Sequence, residues 1–249
     1  MLKTDHQVGG TEGVDLRRAR RRARRLHLFE ALEQVYAELP ETTCGGCGRC
    51  CFESPGLFFV EYLRLVERLE RPRQDVMTRA LRELLFSWIE PERNCLFLDA
   101  SSRCTIYEAR PLTCRLFGLS SPTDPEQAQE ELRKAAEQEA EQLRRLGIEI
   151  PEATLGRALA SCDRVRDTRG RRCRVDPDVL AERVAELDAK LIPTEVVRQE
   201  YCFLSLPDRL GATALGGGVV EMLRIQVLRR AQRGESVEAL VDLIAERRK

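Results

Sequence analysis

Four of the ten cysteines fall within eight positions, in "ETTCGGCGRCCFESP": Cys44, Cys47, Cys50 and Cys51, in the pattern C-x2-C-x2-C-C. Thiols packed this closely, with glycines between them, need a common task. Disulfides, a redox couple, a thiolate metal site and an iron–sulfur cluster are the candidates. Ten cysteines would suit a small secreted disulfide scaffold, but the start, "MLKTDHQVGGTEGVDL", has no apolar signal-peptide core. No run approaches the roughly 18 apolar residues of a membrane span. The expectation is therefore a cytoplasmic chain in a reducing compartment, where clustered cysteines more often bind metal or react than form bridges.

The spacing narrows the choice. C-x2-C-x2-C opens the bacterial ferredoxin pattern, but that pattern continues with x3-C-P, and here Cys51 follows Cys50 directly. The C-x3-C-x2-C spacing of radical enzymes that use S-adenosylmethionine is absent. A thioredoxin-like pair lacks its βαβ setting. The histidines are His6 and His27 alone, which rules out a histidine-built zinc site and a Cys–His nucleophile pair on the cluster. Any metal is then held by sulfur, with room for one carboxylate. Thiolate sites of that kind hold structural zinc or iron–sulfur.

The rest of the chain reads as helix. Charged residues are 33% and aromatics 5%, and the formal net charge is zero, so any attraction to a polyanion must be local. Residues 1 to 15 read as a loose tail. "LRRARRRARRLHLFEALEQVYAEL" carries Phe29, Leu32, Tyr36 and Leu39 at helical spacing, ending before Pro40. Its first half holds Arg17, Arg18, Arg20, Arg21, Arg22, Arg24 and Arg25 with no acid between them. That run is either an anion patch for RNA, DNA or lipid phosphate, or a solvated extension paired to acids elsewhere. A basic run alone is a weak motif, and the second reading is preferred.

Helices are expected over "LFFVEYLRLVERLE", stopped at Pro72, and over "DVMTRALRELLFSWIE", with Met77, Leu81, Leu84, Leu85 and Trp88 on its apolar side. "CLFLDASSRCTIY" reads as a small hairpin whose cysteines, Cys95 and Cys104, bracket the turn. "DPEQAQEELRKAAEQEAEQLRRLG" and "DPDVLAERVAELDAKLI" each open with an Asp cap and Pro at the first helical position. Two more helices, separated by "RGES", close the sequence. "GATALGGGVVE" lacks the Lys-Ser/Thr of a phosphate-binding loop and reads as a flexible joint.

The set "CGGCGRCC" followed by "CLFLDASSRCTIYEARPLTCRLF" resembles the YkgJ-type cysteine-cluster family, the CxxCxxCC zinc- or iron-chelating domain, over about residues 44 to 118. The resemblance implies metal ligation by Cys44, Cys47, Cys50, Cys51, Cys95, Cys104 and Cys114. Two departures stand out: Glu61 where the family often has Asp, and Gly118 where it has Pro. Neither removes a thiol. Some relatives are described as iron–sulfur flagellin lysine methylases, so the resemblance also makes an enzyme imaginable.

Seven thiols fit two zinc tetrahedra sharing one thiolate. Two separate sites need eight, with Cys162, Cys173 or Cys202 as the source of the last. Arg49, Arg103, Arg110 and Arg115 flank the cysteines and would offset thiolate charge. The expected fold is mainly α. It comprises a tail and Arg-rich helix at 1–43, an irregular metal-stapled module with a small β-hairpin at 44–118, and a helical region at 119–249. The expected function is binding of an iron–sulfur cluster or zinc, leaning to iron–sulfur, with the wider activity unassigned. A methyltransferase and a zinc-stapled adaptor for nucleic acid or protein are the alternatives. Nucleic acid would be met only through the Arg17–Arg25 helix, and no membrane span is expected.

Overall fold

The computed structural model describes residues 16–48, 51, 54–69, 74–86, 89, 94–119, 125–150, 162, 164–171, 175–192, 204–215 and 217–239. Helices dominate it, as the sequence predicts. Helix α1 (Leu16–Arg25) and α2 (Leu28–Ala37) come from the Arg-rich stretch, which is broken where a single helix was expected. His27 takes a left-handed φ of 52° and turns the corner between them. Residues Leu28, Phe29, Leu32, Val35 and Tyr36 form the buried stripe of α2, in the i, i+4, i+7 pattern of an amphipathic helix.

Helices α3 (Phe59–Arg68) and α4 (Gln74–Phe86) follow the cysteine loop, and α5 (Leu112–Leu116) carries Cys114. The long α6 (Pro125–Arg145) precedes α7 (Pro177–Leu191), where Asp176 accepts a bond from the Asp178 N–H and Pro177 sits at the first position. Helices α8 (Leu206–Leu215) and α9 (Gly217–Gln232) complete the described elements. Leu81, Leu84 and Leu85 are buried on α4 as the stripe predicts, whereas the Met77 side chain and Trp88 lie outside the described residues.

Two helix groups share the body. Helices α1, α2, α3 and α7 pack together around Leu32, Phe59, Leu63 and Val184, and α4 packs on α8 and α9. A two-stranded antiparallel sheet ties them, pairing β1 (Gly56–Leu57) with β2 (Leu204–Ser205) in the register Gly56↔Ser205 and Leu57↔Leu204. The expected joint at 211–221 is helical on both sides of Gly216. Gly211 lies inside α8, where a Cβ would come within 2.6 Å of Leu84 Cδ2, so glycine there allows α8 to press on α4.

Candidate metal centre

The cysteine loop is stitched to the hairpin by main-chain bonds. Cys51 N–H donates to Gly48 O at 2.9 Å, and Cys95 N–H donates to Cys51 O at 2.8 Å. The expected hairpin exists as one bridge, Leu98↔Cys104, closed by Thr105 N–H to Phe97 O and Asp99 N–H to Arg103 O, both at 2.9 Å. The Asp99 carboxylate shapes its turn by accepting from Ser101 and Arg103 N–H at 2.8 and 2.9 Å. Those N–H groups, Arg103's foremost, hold the Asp99 pKa below its ordinary value. Gly48 lies where loop and turn cross: with φ +73°, a Cβ on it would be 2.4 Å from Ser102 O.

Tyr107 and Arg110 fix the other end of the loop. The Tyr107 hydroxyl donates to Cys44 O at 2.8 Å, and the Arg110 guanidinium stacks on the Tyr107 ring at 3.5 Å. One arm of Arg110 reaches Cys44 Sγ at 3.9 Å, so a fixed positive charge faces this sulfur. Arg115 donates to the Arg110 and Glu108 carbonyls at 2.8 Å, which clamps the 3-10 turn Tyr107–Ala109 to α5.

The helix bearing Cys114 is set by a buried carboxylate that sequence reading noted only as a departure. Glu61, 3% exposed, accepts from Tyr36 Oη at 2.5 Å, Phe58 N–H at 2.8 Å and Leu112 N–H at 2.6 Å. It thus ties α2, the start of α3 and the start of α5 to one point. Burial raises the Glu61 pKa against these three bonds. Asp188 of α7, fully buried, accepts from Phe59 and Val60 N–H at 2.8 and 2.7 Å, and burial pushes its pKa up to about 7. The buried Arg209 donates to Leu57 O at 3.1 and 3.2 Å and offsets both carboxylates.

The thiols have different settings. Cys95 is buried, with Ser54 Oγ at 3.5 Å; burial, with a smaller push from nearby Glu83 and Cys104, drives its pKa up to about 11. Cys47 is exposed, while Cys44, Cys51, Cys104 and Cys114 are half-buried. No disulfide joins any two of the described cysteines. Cys50, Cys173, Cys202 and Arg49 lie outside the described residues. Among the described residues, no three Cys, His, Asp or Glu side chains are gathered closely enough to hold a metal ion. Main-chain bonds thus join Cys51, Cys95 and Cys104 in one stitched region, with Cys44 fixed by Tyr107 and Arg110.

A second turn of the same build abuts the loop from its other side, and sequence reading missed it. Asp167 accepts from Arg169 and Arg171 N–H at 2.9 and 2.7 Å, while its own N–H donates to Arg171 O at 2.9 Å, matching the Asp99 turn bond for bond. Thr42 bridges Asp167, and Thr43 N–H donates to Arg166 O at 2.9 Å. Val165 and Cys162 pack against Gly118, four residues after Cys114. The signal was present in the sequence as "CLFLDASSRC" beside "CDRVRDTRGRRC", two cysteine pairs each spanning an Asp turn.

Residues 43–142 match the model of the CxxCxxCC family, described as "Putative zinc- or iron-chelating domain". The matched stretch starts one residue before Cys44 and runs into α6. No curated protein sequence matches the chain, and no solved structure matches it. No described helix is long and apolar enough to cross a membrane.

Proposed function

We propose that the 43–142 domain binds zinc or an iron–sulfur cluster through Cys44, Cys47, Cys50, Cys51, Cys95, Cys104 and Cys114. The observation that carries this reading is the Cys95 N–H to Cys51 O bond, which joins the two halves of the cysteine motif. The donor set fits such a group: it is all sulfur, with no histidine between residues 43 and 142. When bound, the group would supply a fixed cross-link or, as iron–sulfur, an electron-transfer centre. The protein's residues do the rest. Arg110 offsets charge at Cys44, Gly48 lets the loop cross the hairpin, and Glu61 holds the Cys114 helix in place.

Ligation by thiolate would release protons from sulfur and couple metal binding to the ordering of the loop. Cys162 is the described residue best placed to add an eighth thiol, since it packs on the turn after Cys114. Iron–sulfur is favoured over zinc because three cysteines at successive x2 spacings can cap one face of a cubane cluster.

The test is metal and acid-labile sulfide analysis of anaerobically purified protein, with its visible spectrum, on the parent and on Cys162→Ser. Iron with equimolar sulfide and a brown colour supports the iron–sulfur form. Stoichiometric zinc without sulfide replaces it with zinc. Absence of bound metal in protein purified with both metals supplied would overturn the function.

A further inference from the structure

We propose that α1 is a docking surface for duplex DNA, seated in the major groove and gripping phosphates on both walls. At 100° per residue, Leu16, Ala19 and Ala23 share one stripe. Ala23 is fully buried and the other two pack against the main core. Opposite them, Arg21 marks the centre of an outward arc of about 200°. Arginine occupies that whole arc: Arg17, Arg21 and Arg25 near its middle, Arg18 and Arg24 further out on either side, and Arg20 and Arg22 at its edges. Arg17, Arg18, Arg21, Arg22, Arg24 and Arg25 are all exposed. Arg24 bonds Glu67 of α3 and so pins the helix to the body, while no described acid pairs with Arg21, Arg22 or Arg25.

The shape and chemistry of this arc select the partner. It is convex, so it suits a groove rather than a small anion. An α-helix of about 10–12 Å diameter matches the roughly 12 Å width of the B-DNA major groove, whose walls carry phosphate. The deep, narrow major groove of duplex RNA excludes a helix of that size. A membrane would need an apolar stripe facing outward, and here that stripe is turned into the core. A protein interface would need an apolar or aromatic centre, and the arc between residues 17 and 25 has none. Guanidinium forks suit phosphate, which they can grip with two bonds. With no acid within the helix and zero net charge on the chain, the attraction is concentrated on this face.

The experiment uses the full chain and a labelled 20-base-pair DNA duplex, titrated between 50 and 200 mM salt. Three phosphates neutralised give a log–log salt slope of about −2.7, and thus about a forty-fold loss of affinity over that range. The variant Arg21→Glu/Arg22→Glu/Arg25→Glu should weaken binding at least about tenfold at 50 mM salt, while helicity and metal content stay at parental levels. The proposal fails if the parent does not bind duplex DNA at 50 mM salt, or if the triple variant binds as tightly. It also fails if duplex RNA of equal length binds more tightly than DNA, or if vesicles rich in phosphatidylserine capture the protein and DNA does not.

Discussion

Two neighbouring stretches of the chain are held in opposite ways. From 57 to 63 every residue is buried, and the start of α3 is fastened by Glu61 and Asp188. From 41 to 51 no described residue is buried, and the backbone is held by a few bonds from Tyr107, Cys95 and the turn at 166–167. Apolar burial stabilises the first stretch by roughly 1.5–3 kcal/mol per large side chain. The second has no such source. A loop of this kind is ordered by what its sulfurs bind, so metal and core should govern different parts of the molecule.

The sharpest way to separate the two is to remove the metal. Cys47→Ser or Cys104→Ser, or treatment with a strong chelator, should strip the site, since thiolate sites contribute their binding energy to local order. Hydrogen exchange should then rise steeply at residues 42–51 and 99–107 and stay slow in α2, α3 and α7. Equal loss of protection in both regions would show that the loop and the core form one cooperative unit. The next largest effect lies on the other side of the comparison. Glu61→Ala strands the Tyr36 hydroxyl and the Phe58 and Leu112 N–H groups in a buried site. About 3–5 kcal/mol of stability should be lost in chemical denaturation, with or without metal. A loss confined to the metal-loaded protein would place Glu61 with the site rather than the core.

Much of this division was legible in the sequence, because its two halves use different codes. The stripes of α2 and α4 are read from apolar spacing, and Asp176-Pro177 announces the start of α7. The Cys95–Cys104 hairpin was legible from its alternation and polar turn. What was hidden depends on partners far away in sequence. Glu61 looks like an ordinary first-turn acid until Tyr36 and Leu112 converge on it. The corner at His27 was missed because leucines continue on both sides and neither Gly nor Pro marks the break. The pairing of Gly56–Leu57 with Leu204–Ser205 joins two-residue strands, too short for any alternation to show.

A third test uses pH. The Asp188 pKa is raised from its ordinary 3.8 to about 7 in the folded state, so its share of stability is complete below about pH 4 and is lost as pH rises through about 7. Asp188→Asn removes this titration. The stability of the parent relative to the variant should therefore fall by about 2–4 kcal/mol between pH 4.5 and 8, measured on the metal-free protein. A difference that is flat with pH would show that Asp188 stays ionised throughout. Gly48→Ala returns to the loop and is expected to be milder. The alanine meets Ser102 O and must hold φ near +73°, at about 1–3 kcal/mol. Because that strain sits between loop and hairpin, it should appear as weaker metal retention with the core's melting temperature unchanged.

The smallest effect belongs to the surface contact that joins α1 to α3. Arg24 Nε donates to Glu67 at 2.6 Å, but the Arg24 side chain is 61% exposed, so water and salt compete for the pair. A double-mutant cycle of Arg24→Ala and Glu67→Ala should give a coupling of about 0.2–1 kcal/mol at low salt. At 1 M salt, where the screening length is about 3 Å, the coupling should vanish. Ala23 and the rest of the inward stripe remain in both variants, so α1 should stay helical and docked. A coupling above about 2 kcal/mol would mean that α1 is held by its charges rather than by Ala23, and the exposed arginines would then have a structural task that competes with binding DNA.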